Sequence, residues 1–396
     1  MPYICLKCID DESLRKIVEE KGEAIEVECK YCKQQRHGIP MEVLAEIADE
    51  FLRKYLRIGD YLYPRYEQEG DVLDWVLQEE LGINHAPALD LACILEDNDI
   101  VDVKHGEEPF YRRGENYLRN SLSSSEYHHT WEDFTDRIKH HARFFNEIAR
   151  KQLAEILGEP RSPKTKELPW IELGTGTKIG LLFRARLADS EEQARKIMRN
   201  PAIELGTPPK VMAIAGRMNP TGVPVFYGAL TEDTAIAEVR PSVGNMVVVG
   251  CFQPSRKLKL FNLLRINVAF TGSIFHPEYE DKMARVNFFK IFHELIARPI
   301  QPRDELIEYI PTQAVAEYVT NVLGFDGILY ASAQVGAVSY DSESILTELS
   351  ESEISQYNVV LFGDLGLMFQ TDSAYLVKVK GVTYSHDKII TLPQMK

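Results

Sequence analysis

Gly216-Arg-Met-Asn-Pro-Thr-Gly-Val-Pro-Val-Phe-Tyr-Gly-Ala-Leu-Thr-Glu-Asp-Thr-Ala-Ile-Ala-Glu-Val239 reads as a polar turn, a short strand and a helix in direct succession. Arg217 and Asn219 lie in the turn, and the strand ends near Tyr227. Thr231 is positioned to cap the helix, in which Ala235, Ile236 and Val239 supply apolar packing. Glu238 falls among them. A carboxylate beside a packing face needs a partner or a ligand, because desolvating an unpaired charge is costly.

Outward from this stretch the texture stays mixed. Short β-branched runs recur at Met246–Phe252, Gly327–Tyr330, Val359–Phe362 and Ala374–Val379, divided by Gly, Pro and Asn. A helix is expected from a Thr312 cap through Val315, Tyr318, Val319, Val322 and Leu323 to Gly324. Residues 169–396 therefore read as one α+β domain. Gly174-Thr-Gly176-Thr-Lys-Ile-Gly180 lacks the Gly-Lys-Ser/Thr of a phosphate loop and reads as a plain turn.

Upstream, Arg161-Ser-Pro-Lys-Thr-Lys-Glu-Leu168 is a polar linker, and residues 39–160 read as a small all-helical domain. Leu44, Ile47, Ala48, Phe51, Leu52 and Tyr55 recur at the spacing of one buried helix face. Val72–Leu81 and Pro87–Leu95 have the length of shorter helices. Another helix is expected from a Thr130-Trp-Glu-Asp133 capping box to Gly158. His128, His129, His140 and His141 read as solvated or satisfied, since helical neighbours point in different directions.

Of six cysteines, four form two pairs near the start, Cys5-x-x-Cys8 and Cys29-x-x-Cys32. Two such knuckles complete a tetrahedral thiolate set, so residues 1–38 read as a structural zinc-binding segment. Disulfides are the competing reading, and a cytosolic setting counts against them. His37 is read as solvated, and Cys93 and Cys251 as core residues.

The start of the chain lacks a signal-peptide layout, and no apolar run approaches the roughly 18 residues needed to span a bilayer. A cytoplasmic protein is expected. A net charge of −15 repels a phosphate backbone and disfavours nucleic-acid binding. Arg184, Arg186, Arg195, Lys196, Arg199, Lys210 and Arg217 collect in one segment, which suits a small anionic ligand.

Three ordered motifs resemble the RES domain, a toxin family named for Arg, Glu and Ser. The first is Leu181-Leu-Phe-Arg184-Ala-Arg186, the second the 216–239 stretch, the third Phe325-Asp-Gly-Ile-Leu-Tyr330-Ala-Ser332. Asn358-Val-Val-Leu-Phe362 is similar to the closing strand, so the likeness spans about residues 181–362. The front of the chain resembles the helical HEPN/RES N-terminal domain fused to such proteins. The resemblance implies an ADP-ribosyltransferase-like fold and degradation of NAD+ by cleavage of the nicotinamide–ribose bond. It implies a toxin–antitoxin or anti-phage setting, with an antitoxin or regulatory partner and a homo-oligomer among the possible assemblies.

The resemblance also implies roles. Arg184 and Arg217 hold the pyrophosphate or adjoining ribose, with Arg186 the rival of Arg184. Asn219 joins these NAD+-binding candidates. Tyr227 brackets the nicotinamide, Glu238 is the catalytic carboxylate, and Ser332 orients the nicotinamide ribose. Tyr309, Tyr330, Gln313 and Asn358 are read as structural. ADP-ribosyl transfer to a macromolecule is the alternative activity. A HEPN-type RNase is disfavoured: Arg137 stands too close to His140 and His141, and Arg119 too far from His128.

Overall fold

The computed structural model describes residues 2–21, 24–63, 67–100, 108–120, 123–160, 162, 168–263, 272–297, 303–332 and 357–382. They divide into two compact units, Met1–Ser123 with Phe270–Ala284, and Ser124–Ala269 with Arg285–Lys396.

In the first unit the strands are β1 (Tyr3–Cys5), β2 (Ile25–Glu28), β3 (Gln35–Pro40), β4 (Leu56–Ile58), β5 (Tyr61–Leu62), β6 (Glu67–Gln68), β7 (Asp71–Val72) and β8 (Asn116–Arg119). They form sheets β1-β3-β2 and β4-β8-β7 and a β5-β6 pair. The expected all-helical character of 39–160 is thereby corrected. The strands there are two to four residues long, too short to leave a period-2 signal beside the helices. Helices Leu73–Leu81 and His85–Asn98 cover both shorter helical segments. On the helix Met41–Tyr55, residues Leu44, Ile47, Ala48, Leu52 and Tyr55 are buried, in one cluster with Leu91, Phe275 and Tyr279. Burying each large aliphatic side chain contributes about 1.5–3 kcal/mol. Glu80, 5% exposed, accepts both arms of Arg119 at 2.6 and 2.9 Å, so its buried charge is paired. Cys93 is exposed on its helix and is not a core residue, while Cys251 is buried as expected.

The second unit takes in the helices Ser125–Asp136 and Glu147–Leu157, which shifts the boundary expected near residue 160. Side chains far along the chain hold them there. Trp131 stacks edge-on against Phe292 at 4.9 Å, Arg285 Nε donates to the Ile156 carbonyl at 2.9 Å, and the Tyr318 hydroxyl donates to the Gly158 carbonyl at 2.8 Å. The single helix expected from Thr130 to Gly158 is two helices with a π-helical turn at Arg137–His141 between them. Thr130 does not cap it; its hydroxyl donates to Glu155. Thr312 likewise lies inside the helix Ile310–Glu317 and caps nothing, and the expected continuation to Gly324 is a π-helical turn at Tyr318–Val322.

A nine-stranded sheet forms the body of this unit: β9 (Trp170–Leu173), β10 (Leu182–Ala188), β11 (Val225–Ala229), β12 (Met246–Pro254), β13 (Leu258–Asn262), β14 (Gly327–Ala331), β15 (Tyr357–Phe362), β16 (Leu367–Phe369) and β17 (Tyr375–Lys378). Its order is β16-β12-β10-β11-β15-β14-β13-β9, with β17 also on β12. Among the described strands, only β13 and β14 run parallel. The unbroken run Val247-Val248-Val249 is buried because β12 is covered on both faces. Leu182, Phe226, Phe252, Leu329, Val359 and Leu361 share one core, with Phe226 edge-on to Phe252 at 5.0 Å. The Gly174–Gly180 segment is a turn, closed by Gly174 N–H donating to the Ile179 carbonyl at 2.8 Å.

Candidate active site

The deciding stretch 216–239 folds as its residues dictate. Thr231 caps the helix Glu232–Glu238 through the Thr234 N–H at 3.3 Å, and the helix packs on β10 and β11. The preceding turn is fastened from three sides. Tyr227 O–H donates to Asn219 Oδ1 at 2.9 Å and accepts from Met218 N–H at 3.0 Å. Gln313 Nε2 donates to the Gly216 and Asn219 carbonyls at 2.8 and 3.0 Å, and the Thr312 hydroxyl donates to the Arg217 carbonyl. Gly216 is required here: a Cβ at this position would lie 2.7 Å from the Tyr227 hydroxyl and 2.8 Å from Asn219 Oδ1.

A cleft of about 360 Å³ opens between this turn, the helix and the sheet. Arg184, Arg217, Tyr227 and Glu238 line it, as does Arg240 just past the helix. Arg184 comes from β10, which meets β11 at the single pair Phe183↔Ala229. Its guanidinium donates to the Gly206 carbonyl at 3.1 Å and lies 5.1 Å from the centre of the Phe226 ring. Burial, with Arg186 nearby, lowers its pKa to about 10, so it stays cationic at neutral pH. Arg217 lies over the Tyr309 ring at 5.3 Å. Burial raises the Tyr227 phenol to about 12 and holds Tyr330 well above its ordinary value, so both are neutral. Ser332, 2% exposed, donates to Glu238 Oε1 at 2.6 Å.

Arg184, Arg217, Tyr227, Glu238 and Ser332 are thus brought together, and two candidates are not. Arg186 pairs with Glu204, donating to its carbonyl at 3.0 Å and its carboxylate at 2.7 Å, outside the cleft lining. Residues 184 and 186 are two apart on one strand and share a face, so position along β10, not alternation, separates their roles. Asn219 is 3% exposed and spends its amide on the Ile214, Pro220 and Val223 carbonyls. It holds the turn and does not face a ligand. Glu238 itself is exposed at its helix end, not enclosed by the packing face on which it was expected.

Tyr309, Tyr330 and Asn358, read as structural, line the cleft with Phe183. One signal for Asn358 was present: a lone amide opening the apolar strand Val359–Phe362. Arg240 carried none, although its positive φ of 47° marks a conformation that a side chain rarely adopts. The acidic 341–354 segment lies outside the described residues, as does most of the 161–168 linker.

A second cluster lies in the first unit. The sulfurs of Cys5, Cys8, Cys29 and Cys32 all fall within 4.8 Å of one another. Cys5–Cys8 and Cys5–Cys32 are 3.6 Å apart and Cys8–Cys29 3.9 Å. A tetrahedral zinc with Zn–S bonds of about 2.3 Å needs sulfurs about 3.8 Å apart, so the set fits that ion. Those separations are too long for disulfides, and all four thiols are free. His37 is exposed and not part of the group, and His141 pairs with Asp136 at 3.1 Å. Among the described residues no helix is long and apolar enough to cross a membrane.

Fold and cleft together define a mixed α+β chain with an arginine-rich, aromatic-walled pocket on a mostly antiparallel sheet. Residues 182–363, just under half of the chain, match the model of the RES domain family. The expected limits, 181–362, differ by one residue at each end. No curated protein and no solved structure matches the chain.

Proposed function

We propose that the cleft binds NAD+ and that the chain cleaves the bond between nicotinamide and ribose. The observation that carries this reading is the meeting, in one cleft, of three arginines, an aromatic wall and a serine-bound carboxylate. NAD+ presents a planar cation and a diphosphate. Aromatic faces suit the first and forked guanidinium donors the second. The cleft volume is at the lower end of the roughly 300–1,000 Å³ usual for small-molecule sites, matching one end of a dinucleotide.

Nicotinamide leaves as a neutral molecule from a cationic ring and needs no proton from the enzyme. One carboxylate then suffices, unlike the acid and base pair of most glycoside hydrolysis. As the bond lengthens, positive charge grows on the ribose, and Glu238 stabilises it while holding a ribose hydroxyl. Ser332 fixes one carboxylate oxygen, leaving Oε2 for the sugar. With water as acceptor, NAD+ and H2O give nicotinamide, ADP-ribose and a proton; phosphate in place of water makes the step a phosphorolysis. Such an activity depletes a central metabolite, which fits a toxin restrained by a partner. The four cysteines would hold a structural zinc that folds the N-terminal segment and leaves the cleft chemistry to the second unit.

The test is chromatography of purified full-length protein with NAD+, wild type against Glu238→Ala. Nicotinamide release that vanishes in the variant supports the reading. Labelled macromolecule in place of free ADP-ribose would favour transfer, and untouched NAD+ would remove the assignment.

A further inference from the structure

Asn358, the second residue of β15, is flanked by Ala229 of β11 and Tyr330 of β14 in register. Both neighbours line the cleft, and so does Asn358. Directly opposed residues point to the same sheet face, so its amide shares the face that forms the cleft floor. It is 2% exposed, yet among the described residues neither Nδ2 nor Oδ1 has a hydrogen-bond partner. An amide buried with all its valences open is destabilising and uncommon. Asn219, buried just as deeply in the same unit, has every polar atom bonded.

We infer that Asn358 reads the carboxamide of the nicotinamide ring, and this inference rests on the NAD+ reading of the site. A primary amide presents an acceptor and a donor in one plane, and its complement is another planar amide or an adenine edge. Position selects the first. Tyr330, the register partner of Asn358, is two residues from Ser332, about 7 Å along an extended chain, and Ser332 holds the carboxylate. The group nearest the floor is then the leaving group beside the bond that breaks. Tyr330 and Phe183 border the same space and offer faces to the pyridinium. A carboxylate in place of the carboxamide would set an anionic oxygen against the Oδ1 lone pairs and lack the N–H that Oδ1 accepts.

The experiment compares kcat/KM of the full chain for NAD+, nicotinic acid adenine dinucleotide and nicotinamide hypoxanthine dinucleotide, in wild type and Asn358→Leu, with Tm measured alongside. Wild type should favour NAD+ over the nicotinic acid analogue. Asn358→Leu, similar in shape, should lose about 10- to 100-fold with NAD+, change little with the acid analogue, and gain in Tm because an unbonded amide has been removed. An unchanged preference in an active Asn358→Leu overturns the carboxamide role alone. So does a fall in Tm, which marks the amide as structural, or a lost preference against the hypoxanthine analogue, which marks it as an adenine reader. Wild-type protein that consumes no NAD+ overturns the site reading and this inference together.

Discussion

Ser332 and Glu238 stand 94 residues apart in the chain and are joined by a 2.6 Å hydrogen bond from the serine hydroxyl to one carboxylate oxygen. The serine is buried and the carboxylate is exposed at the cleft, so the pair works as an anchor and a projecting arm. Glu238→Gln keeps the shape and removes the charge. It should lower kcat about 10²- to 10³-fold, the usual effect of removing one preorganised electrostatic group. Ser332→Ala should cost less, about tenfold, and the double variant should resemble Glu238→Gln, because groups acting as a unit are not additive. Steady-state nicotinamide release on all three proteins checks this; additive losses would show that the two act separately.

Arg184 and Arg186 should separate cleanly. Arg184→Lys keeps a charge but loses the planar fork that lies by the Phe226 ring and reaches the Gly206 carbonyl. KM for NAD+ should rise about 10- to 100-fold, the worth of a charge-assisted hydrogen bond. Arg186→Ala loses an exposed pair with Glu204 and should leave turnover near wild type. Equal defects in the two variants would return Arg186 to the site.

Elemental analysis should find about one zinc per chain, and Cys29→Ser should lower it sharply. Metal-thiolate sites of this kind are folded by their ion. Chelation should therefore expose residues 1–38 to proteolysis before the second unit yields. Protection that is the same with and without chelator would mean that the segment folds without metal.

Asp99 gives the first unit an acid-sensitive contact. Burial raises its pKa, but Arg53 at 2.6 Å and the Tyr111 N–H at 2.8 Å outweigh that and hold it below the ordinary carboxylate value. A carboxyl with a depressed folded pKa stabilises fully above its unfolded value, about 3.9, and loses that stabilisation as pH falls through the folded value. Asp99→Asn should be less stable than wild type by about 1–3 kcal/mol at pH 7, with the gap closing below about pH 4. Urea unfolding across that range reads the difference, and a gap that widens on acidification would contradict the sign.

Much of the site was legible because its motifs are local. The turn, strand and capped helix of 216–239 follow from side chains a few residues apart, and Thr231, Tyr227 and Glu238 appear where that stretch places them. Thr130 and Thr312 were misread by the same logic. A threonine three residues before an acid or a helix run signals a cap, yet both helices begin before it, with Tyr127 and Ile310 buried in the added residues. Asn219 and Asn358 show the limit most plainly. Both are asparagines in polar-to-apolar transitions of the sequence; Asn219 finds its partners within eight residues of itself, whereas Asn358 is an open amide among neighbours supplied by β11 and β14.

The sequence by itself determined the four-thiol cluster, the mixed α+β character of the second half and the identities of its charged residues, because these depend on composition and short spacings. Tertiary structure alone decided which arginine faces the cleft, that Ser332 reaches Glu238, and that helices before residue 160 pack with helical segments after residue 279. Those relations join residues about a hundred positions apart, and such contacts exist only once the sheet has set its strand order and register.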